Sequence, residues 1–507
     1  MEPSPSDAAR PPAPRARLRW PHWLLAVLLA VDAITVARYG GVCAGGSDSS
    51  GYLNNARLLE AGRATIPMRT VPGIAPATLP PYTYVPLGFI PNADRVTMTP
   101  TYPMGLPILL LAGSRIVGWA LAPPWVIGLH ALAGLVLVFL LCRRAGLEPG
   151  WALTGVLILA VSPLYLQYSV QLMSDVPALV WVTAAVCLAW TDDRRTGAAL
   201  AAGLCLGIAV LVRPSNLLAI VPVLIALGLC PRRIVALMAG GLPPAIFLAL
   251  FNHAAYGRIL TTGYGAVGPE FGSAHVPATL LHYAVWIPVV LTPVVALALG
   301  LPALAGRRSD AALVLLSWIL MFFGFYAFYR HTHSAWWALR FVLPAFPALI
   351  AGSLLVGRAL AARFALGRRP WLASVAVAGI LVYGISWTCH FRVDRAGSGE
   401  RIYPLVTTWV TEHLPANATV AAMQASGSLF YYTPLTVFRW DMMSPADCER
   451  LARASLAAGR PVYAVLFLFE MDDPEWAAFT KHLPGRWTQI GAVRGVTIWR
   501  YLPESRS

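Results

Sequence analysis

Charge is what this sequence has least of. Asp, Glu, Lys and Arg make up 12% of its 507 residues, against 57% hydrophobic ones, a balance that no soluble domain sustains. The bilayer must therefore be its solvent. Acids are the scarcer sign, 23 Asp and Glu facing 38 Lys and Arg, for a net charge of +15. The basic residues fall in short clusters between apolar runs, which is a topology signal, so no nucleic-acid partner is expected. The seven cysteines are scattered, with no CxxC and no histidine-rich cluster, so neither a zinc site nor a disulfide framework is indicated. Also missing are G-x-x-x-x-G-K-[ST], H-E-x-x-H and G-x-S-x-G, which leaves an ATP-driven pump and a membrane zinc protease without support. No internal repeat is visible, and the apolar runs do not split into the inverted halves common among carriers.

What is present is about eleven apolar runs long enough to cross a bilayer. They are Trp23–Tyr39, Pro124–Cys142, Trp151–Gln167, Val176–Trp190, Gly197–Val212, Asn216–Cys230, Ile234–Phe251, Leu281–Leu304, Ala311–Tyr329, Phe341–Val356 and Trp371–Trp387. A twelfth run, Gly105–Leu121, decides the orientation. If it lies along the surface, the clusters Arg15/Arg17/Arg19, Arg143/Arg144, Arg194/Arg195, Arg232/Arg233, Arg307/Arg308 and Arg358/Arg363/Arg368/Arg369 all face the cytoplasm. If it crossed, every cluster after the first would flip outward, so the surface-helix reading holds. The long first loop (residues 40–123) and everything after Cys389 then lie outside the cell.

The organisation this implies is a disordered cytoplasmic tail (1–22), a helical transmembrane domain (23–390) and a small extracytoplasmic α/β domain (391–507), in a bacterial inner membrane. In that last unit Tyr403–His413 has helical spacing, and Val420–Met423, Leu429–Tyr432, Val462–Phe467 and Gly495–Tyr501 read as strands.

The unusual polar residues gather at the external ends of the spans. The first loop opens with Ser47-Asp48-Ser49-Ser50-Gly51-Tyr52-Leu53, and on a helix Asp48, Tyr52 and Asn55 share one face. A carboxylate there could act as a general base, or simply cap the helix that follows. Asp175, in Ser174-Asp175-Val176-Pro177, has the signature of a helix N-terminus and sits across from that loop. Arg213, followed by Pro214, ends one span and Arg340 starts another. Each could snorkel to headgroups, but two arginines on the face that otherwise avoids positive charge suggest an anionic ligand such as a phosphate. His331 and His333, just ahead of Arg340, and Tyr52 and Tyr102 are grouped with them as substrate-binding candidates. Asp48 and Asp175 could share a divalent ion, but a full ligand set is not evident and no cofactor is expected.

These motifs, taken in order, resemble the GT-C glycosyltransferases that use polyprenyl-phosphate sugars. The resemblance is to the branch holding the protein mannosyltransferases and the bacterial aminoarabinose transferase of lipid A. It rests on Asp48 with Tyr52-Leu53, on Tyr102-Pro103-Met104-Gly105-Leu106-Pro107, on Ser162-Pro163 and Ser174-Asp175, on Arg213-Pro214, and on Arg340-Phe341-Val342-Leu343-Pro344. It covers roughly residues 23 to 390. The resemblance implies that Asp48 is the base and that Arg340, with Arg213, grips the lipid phosphate. It also implies a polyprenyl-phosphate sugar donor within membrane lipid and an acceptor that is a lipid, glycan or protein. Ser49 stands where the protein mannosyltransferases carry a second acid, which weakens the case for a protein acceptor. Two other classes compete. A transporter or flippase would place charges in mid-span, as only Asp32 does, and a polysaccharide polymerase or ligase would keep the arginines without needing Asp48.

Overall fold

The computed structural model describes residues 20–191, 195–228, 230–305, 310–365, 369–472 and 485–502. Residues 1–19 of the expected tail, together with Arg15, Arg17, Arg19, Arg194, Arg307, Arg308 and Arg368 of the basic clusters, lie outside them. Helix α1 (Trp20–Tyr39) begins three residues before the expected first span. The first loop then supplies α2 (Ser47–Glu60), three short strands β1 (Ile66–Pro67), β2 (Phe89–Pro91) and β3 (Thr97–Pro100), and α3 (Gly105–Val117). Next come α4 (Ala122–Arg144), α5 (Pro149–Ala160), α6 (Pro163–Ser169), α7 (Asp175–Ala189), α8 (Thr196–Val212), α9 (Ile220–Leu227) and α10 (Pro231–Tyr256). The helical part closes with α11 (Val276–Leu291), α12 (Leu301–Ala305), α13 (Asp310–Ala327), α14 (Phe346–Arg363) and α15 (Pro370–His390).

Among the described residues seven helices are long and apolar enough to cross a membrane, or eight if the pair α5 and α6, bent by 65°, forms one span. The other three expected runs coincide with the shorter apolar helices Asp175–Ala189, Thr196–Val212 and Pro214–Leu227. One run departs from expectation. Leu281–Leu304 is not a single helix: α11 stops at Leu291, Thr292 takes a φ of 121°, and Pro293 opens a new 3₁₀ stretch. Proline cannot donate to the preceding turn, so the helix breaks where the sequence looked uniformly apolar. Helix α3 has 13 residues, about 20 Å of helix, well short of a hydrocarbon core of about 30 Å.

Helices α8 and α10 cross closely because both offer glycine at the contact. A Cβ on Gly203 would lie 1.9 Å from the Leu237 carbonyl oxygen, and one on Gly240 would lie 1.9 Å from that of Leu200. Small residues let two backbones meet where lipid supplies no hydrophobic drive for helices to associate. The outward residues of α1, among them Trp23, Val27, Val31 and Ile34, are exposed and apolar, as a lipid-facing span requires.

Past α15 come α16 (Ala396–Glu400), α17 (Ile402–His413), β4 (Thr419–Ala421), α18 (Ser426–Tyr432), β5 (Thr436–Phe438), α19 (Pro445–Ala457), β6 (Val462–Phe467), α20 (Leu468–Asp472), β7 (Arg486–Val493) and β8 (Val496–Leu502). The strands form one five-stranded sheet in the order β5-β4-β6-β8-β7, parallel from β5 to β6 and antiparallel beyond. Strand β6, apolar at every position, is buried on both faces. Tyr463 and Val465 pack against Val406 and Val410 of α17. Val462, Ala464 and Leu466 share a core with Leu451 of α19 and with Met68, Val71, Tyr84 and Phe89 of the first loop. The loop and the sheet unit thus complete one another's core. The expected strand Leu429–Tyr432 is corrected to a helix, α18, whose Leu429 fills the α17 side of the sheet.

Candidate active site

Helix α2 starts after Gly45-Gly46, with Gly46 in extended backbone as its N-cap. Asp48 lies in the first turn. Its Oδ2 accepts a hydrogen bond from Arg340 at 3.1 Å, an ion pair between residues 292 apart in sequence. One turn on, the Tyr52 hydroxyl donates to Ser174 Oγ at 2.8 Å, and Asn55 Nδ2 donates to the Tyr102 carbonyl at 3.4 Å. The face inferred from helical spacing is therefore the one that meets the charged residues.

Pro214 excludes the helical conformation from the residue before it, and Arg213 is extended, with φ −150° and ψ 120°. That turns its guanidinium across to the start of α7. It donates to Asp175 Oδ1 at 2.6 Å, to Ser174 Oγ at 3.0 Å and to the Arg340 carbonyl at 3.4 Å. Asp175 opens α7 without capping it, and the positive end of the helix favours a carboxylate there. Asp48, Asp175, Arg213 and Arg340 thus make one cluster of two acids and two arginines. The pair of acids that could have shared a divalent ion each holds an arginine instead.

The cluster is walled by tyrosines. Tyr102 shares a 2.6 Å hydrogen bond with Ser47 Oγ, and its ring lies 5.2 Å from that of Tyr52 and 6.3 Å from that of Tyr264. Arg340 lies 5.3 Å from the Phe341 ring and 6.0 Å from that of Tyr168. Burial, reinforced by the negative charge of Asp48, pushes the Tyr52 and Tyr102 hydroxyls well above the usual phenol range. Both stay protonated, and Tyr52 donates to Ser174. Two polar atoms of the cluster, Arg340 Nε and Asp175 Oδ2, are buried without a hydrogen bond among the described residues. An unpaired guanidinium donor in such a place is prepared for an anion.

His331 and His333 are not brought into this cluster. His331 lies 3.3 Å from the Glu270 carboxylate and edge-on to Tyr329. His333 bonds Thr279 Oγ1 at 3.1 Å and faces His275. Sequence reasoning grouped them with Arg340 through proximity along the chain, but their polar partners are Glu270 and Thr279 rather than the four charged residues.

One acid at the site was missed. Glu400, at the end of α16, accepts from Ser49 Oγ at 3.2 Å and from the Gly46 amide, while its own carbonyl accepts from Cys43 Sγ at 3.2 Å. Gly45 is what lets it in, because a Cβ there would lie 1.8 Å from Glu400 Oε2. Burial pushes the Glu400 carboxyl up, opposed by the Ser49 and Gly46 hydrogen bonds. Ser49, which stands where the protein mannosyltransferases carry a second acid, thus holds an acid delivered from the far end of the chain. Nothing in Ala396-Gly397-Ser398-Gly399-Glu400 signals it.

The fold, helical bundle and small sheet domain together, is similar to that of several solved structures. It is shared with ArnT from Cupriavidus metallidurans bound to undecaprenyl phosphate, at a TM-score of 0.56 and 14% identity over 96% of this chain and 98% of that one. It is shared too with the oligosaccharyltransferase AglB from Archaeoglobus fulgidus, in complex with an inhibitory peptide and a dolichol-phosphate, at a TM-score of 0.54, 13% identity and coverage of 92% and 71%. A mutant of the mycobacterial arabinofuranosyltransferase AftD matches at 0.53 and 14%, covering 94% of this chain and 41% of that one. No protein-family model matches the sequence, and no curated protein matches it significantly.

Proposed function

We propose that the protein is an integral membrane glycosyltransferase that moves a sugar from a polyprenyl-phosphate donor to a hydroxyl-bearing acceptor, with inversion, on the non-cytoplasmic face. The observation that carries this reading is the Asp48–Arg340 pair at 3.1 Å with Arg340 Nε left unbonded. In the resting protein the two arginines are balanced by two acids. A donor phosphodiester brings one negative charge, and Arg340, turning to it, frees Asp48. The acceptor oxygen then attacks the anomeric carbon from the side opposite the phosphate, its proton passes to Asp48, and the bond from the anomeric carbon to the phosphate oxygen breaks. Polyprenyl phosphate leaves with a second negative charge, which Arg340 and Arg213 stabilise. Tyr52 and Tyr102, whose hydroxyls are held by Ser174 and Ser47, offer their rings for the sugar to pack against. The acceptor is a lipid, glycan or protein, and the bacterial inner membrane is the proposed location.

The test is transfer of radiolabelled sugar from a panel of polyprenyl-phosphate donors in membranes, at matched expression. Asp48→Asn should lower kcat by about 100-fold or more, and Arg340→Ala should weaken donor use. Full activity in Asp48→Asn removes the base assignment. The carrier reading has one observation of its own, because Asp32 in α1 is buried with neither carboxylate oxygen bonded among the described residues. If wild type consumes no donor but loaded vesicles lose a lipid-linked sugar in an Asp32-dependent way, that reading replaces the first.

A further inference from the structure

Behind α2 lies a cavity of about 610 Å³, lined from that helix by Leu53, Asn54, Arg57 and Leu58 and, just past its end, by Ala61. At 100° per residue these positions fall on the side of α2 opposite Asp48, Tyr52 and Asn55, so the helix separates this space from the charge cluster. Three arginines line it, Arg57, Arg63 and Arg69, and among the described residues no aspartate or glutamate does. The nearest acid, Glu60, is already taken. It holds Arg57 at 3.0 Å, accepts from Trp119 Nε1 at 3.0 Å and lies 3.9 Å from Arg115. Arg63 and Arg69 have no carboxylate partner among the described residues. Arg69 is fixed in place by the carbonyls of Thr433 and Leu435 at 2.6 and 3.3 Å and by the Phe430 ring at 3.9 Å. A second cavity of about 260 Å³ shares Arg69 and adds Arg460.

Arg57 and Arg63 are exposed and Arg69 is half-buried, and like charges gathered around one partly apolar space repel one another unless an anion joins them. Position decides which anion. Val42 and Cys43 of the lining follow directly on α1, while Trp119, Ala120 and Pro123 frame the start of α4. The cavity therefore opens where two spans reach the membrane surface, at the depth of phospholipid headgroups, and a tryptophan there is itself an interface residue. Guanidinium groups match a phosphate bidentately, and Leu53, Ile66 and Phe89 offer an apolar wall to the glycerol and upper acyl chain.

We propose that this cavity binds the phosphate headgroup of an anionic phospholipid, at a site distinct from the one around Asp48. The bound lipid bridges α2, the start of α4 and α18 of the sheet domain, and so braces the back of the helix that carries Asp48.

The experiment is native mass spectrometry of the full-length protein in detergent, titrated separately with phosphatidylglycerol, phosphatidylcholine, polyprenyl phosphate and inorganic phosphate. Wild type is compared with Arg57→Gln/Arg63→Gln and with Arg258→Gln, an exposed arginine that is not part of the cavity lining, after matched thermal unfolding curves establish that all are folded. Wild type and Arg258→Gln should retain phosphatidylglycerol and not phosphatidylcholine, with affinity falling about tenfold or more in the double variant. Equal retention of phosphatidylglycerol by the double variant overturns the proposal, as does equal retention of the two phospholipids by wild type. A loss in the double variant confined to inorganic phosphate overturns it in favour of a soluble phosphate-bearing ligand. A loss confined to polyprenyl phosphate overturns it in favour of a second carrier-lipid site. None of these readings depends on catalysis, so failure here and failure of the glycosyltransferase reading are told apart.

Discussion

At the scale of single residues, the four charges of the site differ in how much each can be altered. Arg340 bonds Asp48 through one nitrogen while its Nε stays free, and a planar fork of donors is what a phosphate needs. Arg340→Lys keeps the charge and loses the fork, so kcat/KM for the donor should fall by about 10- to 100-fold, measured by initial rates of sugar transfer. Glu400 acts through the turn that presents Asp48 and is a positioning residue. Glu400→Gln preserves an acceptor for Ser49 and the Gly46 amide and should keep nearly wild-type kcat, whereas Glu400→Ala should lose about tenfold in kcat at unchanged donor KM. Equal loss in both variants would mean that its charge matters rather than its hydrogen bonds. Asp48, Asp175, Arg213 and Arg340 were legible in the sequence because charge at the end of an apolar run is costly without a use. Their partners were not legible, since pairing depends on how the spans pack.

At the scale of elements, apolar runs announced the helices well, because a bilayer forces every buried backbone group into a helix. Breaks were less visible. Pro293 stood in plain view, yet the run around it was apolar enough to read as continuous. In the sheet domain the apolar β6 was evident, whereas β7 has no buried position and three exposed ones in a row, Thr488 to Ile490, so it lacks the regular alternation that marks a strand. Leu429–Tyr432 has strand-like residues, but packing of Leu429 against α17 and the sheet decides for helix, a tertiary override of local preference. The α8–α10 crossing yields a prediction of this kind. Gly203→Val drives a branched side chain into the Leu237 carbonyl and should destabilise the protein by about 1–3 kcal/mol, read as an earlier unfolding midpoint in detergent. Val substituted at Gly197, which has open space around it, should cost far less.

At the scale of the whole molecule, the sheet domain and the first loop share one core, and that core holds a titrating group. Burial raises the Glu470 carboxyl to about 7, against hydrogen bonds from the amides of Phe467 and Gln424. The folded state therefore holds its proton more tightly than the unfolded chain does. The resulting stabilisation, on the order of 3 kcal/mol, is complete below about pH 4.5 and is lost as pH rises through about 7. The protection factors of the β6 amides, with the intrinsic pH dependence of exchange divided out, should fall across that window in the intact protein, and Glu470→Gln should flatten the dependence. The Asp48–Arg340 pair carries a different consequence, one of timing. Its two members are 292 residues apart, so a ribosome adding roughly 5–20 residues per second needs about 15–60 s between them. Throughout that interval Asp48 stands in the membrane protein without the arginine it pairs with. A chain that stops short of Arg340 therefore leaves the Asp48 carboxylate without its ion-pair partner.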